Sequence, residues 1–144
     1  MKCDDDIAKI AELIKGIPVA MLTTVTEDGH LHSRPMAAQV IPLKGEILFL
    51  TGEHSEKVDE VRKEHEIALT YTGNHTFVTV SGRGTISNDR SLIKRLWMPI
   101  FEARFPGGID DPEIRVLHIE IDTAEYWETA PNSPARSEKL LPRR

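Results

Sequence analysis

The 144-residue chain predicts a mainly β domain of the α+β class, six antiparallel strands closed into a small barrel with flanking helices. Three observations predict it. Runs of β-branched and apolar residues alternate with glycine turn signals. One of those runs, Glu46–Thr51, holds Ile47, Leu48, Phe49 and Leu50, so it is apolar on both faces and asks for cover on both sides. The helical patterns between the strands are short, and a meander of antiparallel strands hides its edges by closing on itself.

The elements follow in order. Ile7, Ile10, Ala11 and Ile14 recur at helical spacing beside Leu13. Asp4 to Asp6 supply cap and first-turn carboxylates, and Gly16 with Pro18 stops the helix. Val19–Thr26 reads as a strand, Asp28-Gly29 as a hairpin turn and Leu31–Leu43 as the returning strand. Pro35 cannot donate to a ladder, so its stretch is an edge, a bulge or a break. After a turn at Lys44-Gly45 comes Glu46–Thr51. Ser55–Glu64 is a charged surface helix with Val58 and Val61 facing inward. Ile67–Thr72 and Thr76–Ser87 are strands joined through Gly73-Asn74. Within the second, Gly82-Arg83-Gly84 marks a bulge, a close backbone approach or a barrel corner. Ser91–Met98 is helical and Pro99 ends it. Phe105–Pro112 is a loop, and Ile114–Tyr126 is the last strand. Three prolines and few apolar residues after Thr129 read as a loose tail. The division is therefore a domain over 1–128 and a tail over 129–144.

Composition bounds the function. Hydrophobic residues make up 40%, enough for a core without staples. Acids outnumber bases 23 to 18, a formal charge of −5, which disfavours duplex nucleic acid or an anionic membrane as partner. Cys3 is the single cysteine, so no intrachain disulfide or thiolate cluster can form. Met1–Asp6 has no apolar h-region and no run reaches the length of a membrane span. A soluble cytoplasmic protein is expected.

Two segments carry candidate chemistry. In Thr51-Gly52-Glu53-His54-Ser55-Glu56-Lys57 a strand gives way to a helix, and helix N-termini bind anions. Lys57 in the first turn is disfavoured by roughly 0.3–1 kcal/mol, a penalty that a bound phosphate would reverse. The alternative is that Lys57 pairs with Glu53 at i,i+4. In His32-Ser33-Arg34-Pro35-Met36, Arg34 suits a phosphate or, equally, one of the many acids. Trp97, Phe105 and Trp127 could wall a planar cofactor or pack as ordinary aromatics. His30 and His32 share a strand face, but no third metal ligand stands at a telling spacing, and no catalytic nucleophile with a base is legible.

Taken in order, these pieces resemble the FMN-binding split barrels of the pyridoxamine 5′-phosphate oxidase-like family, and within it the general stress protein group. The matching pieces are Ala20–Val25, Asp28-Gly29, Ser33–Met36, Leu48–Thr51, Ser55–Val58, Val80–Gly82 with Asp89, Leu96-Trp97, Phe105–Gly108 with Asp110–Pro112, and Glu125–Trp127. The resemblance implies a six-stranded split barrel and a homodimer with FMN at its interface. It implies that Ser33, Arg34, Pro35, Met36, Leu50 and Thr51 line the flavin ring and ribityl chain. Arg34, Ser55 and Lys57 would hold the phosphate, and Trp97, with Phe105 or Trp127, would close the site. The expected activity is FMN-dependent oxidation or reduction of a small substrate, with reduced nicotinamide as one electron source. A flavin carrier or sensor, or the same barrel holding haem or a deazaflavin, is the alternative.

Overall fold

The computed structural model describes the backbone of residues 2–37, 40–43, 45–130 and 133–140, and side chains over 5–37 and 45–129. Helix α1 spans Lys2–Ile14; the strands are β1 (Val19–Val25), β2 (Leu31–Ala37), β3 (Val40–Leu43) and β4 (Glu46–Gly52). Helix α2 (Glu56–Lys63) follows, then β5 (Glu66–Thr72), β6 (Thr76–Ser87), α3 (Arg90–Leu96), β7 (Ile114–Ala130) and β8 (Ser133–Leu140). Two 3-10 turns, Pro99–Ala103 and Gly108–Asp110, lie between α3 and β7. No described helix is long and apolar enough to cross a membrane.

The sheet runs β2-β1-β5-β6-β7-β4-β3, with β8 beside β7, and every ladder is antiparallel. Its two outermost strands, β2 and β3, are successive pieces of one chain run. A sheet that begins and ends on the same run has to curl, so the expected antiparallel barrel with flanking helices is what forms. The six expected strands are β1, the β2–β3 run, β4, β5, β6 and β7. Pro35 lies on β2 opposite Met21, at the outer edge of the order, where a missing N–H costs no ladder bond.

The expectation of a loose tail is corrected over Ser133–Leu140. β7 outruns β4, whose pairing with it ends at Glu46↔Glu120. The open edge beyond is taken up by β8, from Ala124↔Leu140 to Ala130↔Ser133. Ladder bonds come from the backbone, so a strand of few apolar residues pairs there without the hydrophobic signature that a sequence reading seeks.

β4 and β7 are covered on both faces. Ile47, Phe49, Leu117 and Ile119 enter the main core with Ile10 and Ile14 of α1, Tyr71 and Val80. Leu48, Leu50, Ile114 and Val116 enter a second core with Ile93, Phe101 and Phe105. Doubled cover is what the apolar run of β4 required.

The Gly82-Arg83-Gly84 signal resolves as both a bulge and a close approach. The β6–β7 register slips between Ser81↔Thr123 and Gly82↔Ile121, and a Cβ on Gly82 would overlap the carbonyl oxygen of Glu120. Gly82→Ala should therefore lower unfolding free energy by about 1–3 kcal/mol in urea melts. Gly16→Ala, where a Cβ meets open space, should stay within about 0.5 kcal/mol of the parent.

Candidate functional site

The link from β4 to α2 builds one wall of a cleft. Ser55 is the N-cap residue of α2, yet its hydroxyl makes no cap bond. It accepts from the Lys57 ammonium at 2.7 Å, and Thr51 Oγ1 accepts from the same ammonium at 3.0 Å. Thr51 is buried and Lys57 half-buried. Burial pushes the Lys57 pKa down, and the charges of Arg34 and Arg104 push it further. Among the described residues no carboxylate pairs with this ammonium. The first N–H groups of a helix also lack acceptors within it. Cation, hydroxyls and helix end therefore converge on one spot that suits an anion.

The i,i+4 pairing open to Lys57 does not form: Glu53 lies in the turn before the N-cap, outside the helix, and is held elsewhere. Arg62 donates to both of its oxygens, at 2.6 and 3.0 Å, and Arg115 Nε lies 2.8 Å from Oε2. The hydrogen bond from Arg62 and the Arg115 charge outweigh burial and keep the Glu53 carboxyl below its ordinary range.

The cleft measures about 500 Å³, within the range of small-molecule sites. Met36 of β2, Leu50 of β4 and Phe105 supply its apolar walls; Thr51, Ser55, Lys57 and Arg104 supply the polar end. Trp97 does not line it. Its ring packs against Phe101 and Phe105, with centroids 5.6 and 6.0 Å apart, and so backs the Phe105 wall.

The remaining candidates divide. Arg34 takes the acid, not an open position. It donates to Glu60 Oε1 and Thr24 Oγ1, both at 2.8 Å, and to His32 Nδ1 at 2.7 Å; a guanidinium only donates, so that ring nitrogen accepts. Burial raises the Glu60 pKa, but hydrogen bonds from Thr24 and Arg34 and the charge of Arg34 prevail, and the carboxyl stays below its ordinary value. Arg34 thus adds positive potential near Lys57 while its fork is occupied. Ser33 and Pro35 are exposed on the other face of β2, where Ser33 Oγ lies 2.7 Å from Thr23 Oγ1. Trp127 stands opposite Phe77, some 40 Å of strand contour from Arg115 at ~3.3 Å per residue, and does not line the cleft of its own subunit.

Sequence reasoning missed Arg104, Glu60 and the Arg62–Glu53–Arg115 fork. The only signal for Arg104 was its place beside Phe105. The fork joins residues from three separate elements, which no local spacing displays.

Comparison with known proteins agrees with this architecture. The family model for pyridoxamine 5′-phosphate oxidase like proteins matches residues 5–138. Protein bli-3 of Neurospora crassa is 28% identical over 135 residues; the match takes in 85% of this chain and 65% of that protein's length. The general stress FMN/FAD binding protein of Xanthomonas citri superposes with a TM-score of 0.75 at 25% identity, over 92% of this chain and 95% of that one. General stress protein 26 of Bacillus anthracis superposes at 0.74 and 21% identity, over 83% and 92%, a likeness of fold. With the split-barrel fold in place and the family model covering nearly the whole described chain, the protein belongs to the pyridoxamine 5′-phosphate oxidase like family.

Proposed function

We propose that the cleft binds FMN and that the protein is a homodimeric FMN-dependent oxidoreductase acting on a small substrate. One observation carries this reading. Among the described residues a half-buried ammonium, Lys57, has hydroxyl partners and cationic neighbours but no carboxylate partner, and it stands in a cleft that also presents the apolar side chains of Met36, Leu50 and Phe105. Such an arrangement is costly when alone and is stabilised by a phosphate. A phosphorylated planar ring fits both ends at once. Lys57, Arg104, Ser55 and Thr51 would take the phosphate, and Met36, Leu50 and Phe105 the apolar part. The flavin, when bound, supplies hydride or electron transfer; the side chains supply position and electrostatics. The FMN/FAD binding protein of Xanthomonas citri supports the flavin assignment.

The outer face of β1, β2, β5 and β6 supports a dimer. Val19, Met21, Ser33, Pro35, Thr70 and Phe77 are exposed there, with the charged pair Glu66 and Arg83 at the far end of β5 and β6. Large exposed apolar patches mark interfaces. In such a dimer Trp127, beside Phe77 on this face, would be the aromatic that reaches the partner subunit's cleft.

Adding FMN, desalting and recording the absorption spectrum should leave about one flavin per subunit, and Lys57→Met should weaken FMN binding at least tenfold. A colourless desalted protein overturns the cofactor assignment; reduction of the bound flavin by reduced nicotinamide then separates turnover from simple carriage.

Affinity should also depend on pH with a defined sign. The phosphate needs the Lys57 ammonium, so binding is full below that group's pKa and falls as pH rises through it. Burial, Arg34 and Arg104 set that pKa below an ordinary lysine's, although a bound phosphate pulls it back up. The decline in a fluorescence titration should begin at lower pH for the free protein's association than for loss of bound FMN.

Met21→Glu, which places a charge in the exposed face, should convert the dimer to a monomer in sedimentation runs. A parent protein that sediments as a monomer would rule out the dimer.

A further inference from the structure

Three carboxylates line the cleft that holds Lys57, and each is engaged. Asp111 accepts from the Gly107 and Glu113 backbone N–H groups at 3.2 and 2.9 Å, and Glu113 lies 3.0 Å from His54 Nε2. The third, Glu53, is four residues before Lys57 and lines the same cleft. Two guanidinium groups hold it. Arg62 comes from the last turn of α2 and grips both oxygens. Arg115 comes from β7 and is itself fixed, its Nη1 donating to the carbonyls of Pro112 and Ile114 at 2.8 and 2.9 Å. The Glu53 backbone N–H donates to Glu113 O at 2.8 Å, tying the link to the strand that carries Arg115.

We propose that Arg62 and Arg115 are positioning residues: by holding the Glu53 carboxylate between them they keep it off Lys57 and so keep the cleft open to an anion. The proposal rests on the anion-binding reading of the cleft given above. A rigid bidentate fork outcompetes a single ammonium for a carboxylate, and two forks, one anchored in advance, leave no contest. Without them the carboxylate, in the turn just before the N-cap of α2 and lining the same cleft as Lys57, is free to turn toward the ammonium and pair with it. That pair, partly shielded from water, would occupy the ammonium that the phosphate requires. The arginines thus act on the ligand without touching it.

The experiment compares the parent protein, Arg62→Met/Arg115→Met, and the same double variant carrying Glu53→Gln. FMN affinity is measured by fluorescence titration, and the Lys57 titration is followed by NMR of its Cε in the ligand-free proteins. The double variant should bind FMN at least tenfold more weakly, and its Lys57 should titrate at higher pH than the parent's, because it has gained a carboxylate. Glu53→Gln should return both, affinity to within about threefold of the parent. A merely structural role for the arginines predicts no such rescue. Parent-like affinity in the double variant, or a triple variant as weak as the double, overturns the proposal. If the double variant does not fold, Arg62→Met alone, whose side chain is the more exposed of the two, should show the same loss in smaller measure and the same reversal by Glu53→Gln. Should the parent bind no FMN, the cofactor reading falls, and the Lys57 titration alone decides the fork. A rise in the double variant sustains it, and an unchanged titration overturns it.

Discussion

The long β6–β7 ladder is the constraint on which the other layers depend. It pairs Thr76–Ser87 against Val116–Glu128, and β7 serves β4 and β8 along its opposite edge. One face of β7 feeds the main core through Leu117 and Ile119, the other feeds the second core through Ile114 and Val116. The bulge at Gly82 lets the two strands cross this double duty, since only a residue without a Cβ admits the Glu120 carbonyl so closely. The curl that follows brings the start of β7 beside the end of β4, and Gly52↔Ile114 is the register pair that does so. The mouth of the cleft sits at this junction.

The electrostatics of that junction follow from competition among charged groups. The sequence is acidic overall, yet the cleft's polar end is cationic because the acids in it and beside it are already taken. Glu60 is bound to Arg34 and Thr24, Glu53 to Arg62 and Arg115. Lys57 is left with two hydroxyls. Hydroxyls satisfy its donors without cancelling its charge, so the positive potential survives into the cleft. Net charge speaks to solubility and long-range steering; a binding site depends on which pairs the fold completes.

Much of the fold was legible because its signals are local. β4 announced cover on both faces through four consecutive apolar residues, and the glycine pair in β6 announced its bulge. Lys57, Ser55 and Thr51 were legible as a group because they fall within seven residues at a strand-to-helix junction. Arg34 was ambiguous for a physical reason: a guanidinium fork fits phosphate and carboxylate alike, and only the packing of α2 over β1 and β2 delivers Glu60 to it. The candidates Ser33 and Pro35 alternate with Arg34 and Met36 along β2, so strand pleating sends them to the opposite face. β8 escaped notice because a strand held at an open edge by backbone bonds leaves little trace in side-chain pattern.

By itself the sequence determined the elements up to β7, the doubly covered strand and the place of Lys57 at a strand-to-helix junction, since each depends on residues close together in the chain. Tertiary structure alone decided which charges cancel and which remain. Arg104 approaches Lys57 from a loop 47 positions later in the numbering, and Glu53 is claimed by arginines from α2 and β7. Coulombic competition depends on distance in space, and the curl of the sheet sets that distance.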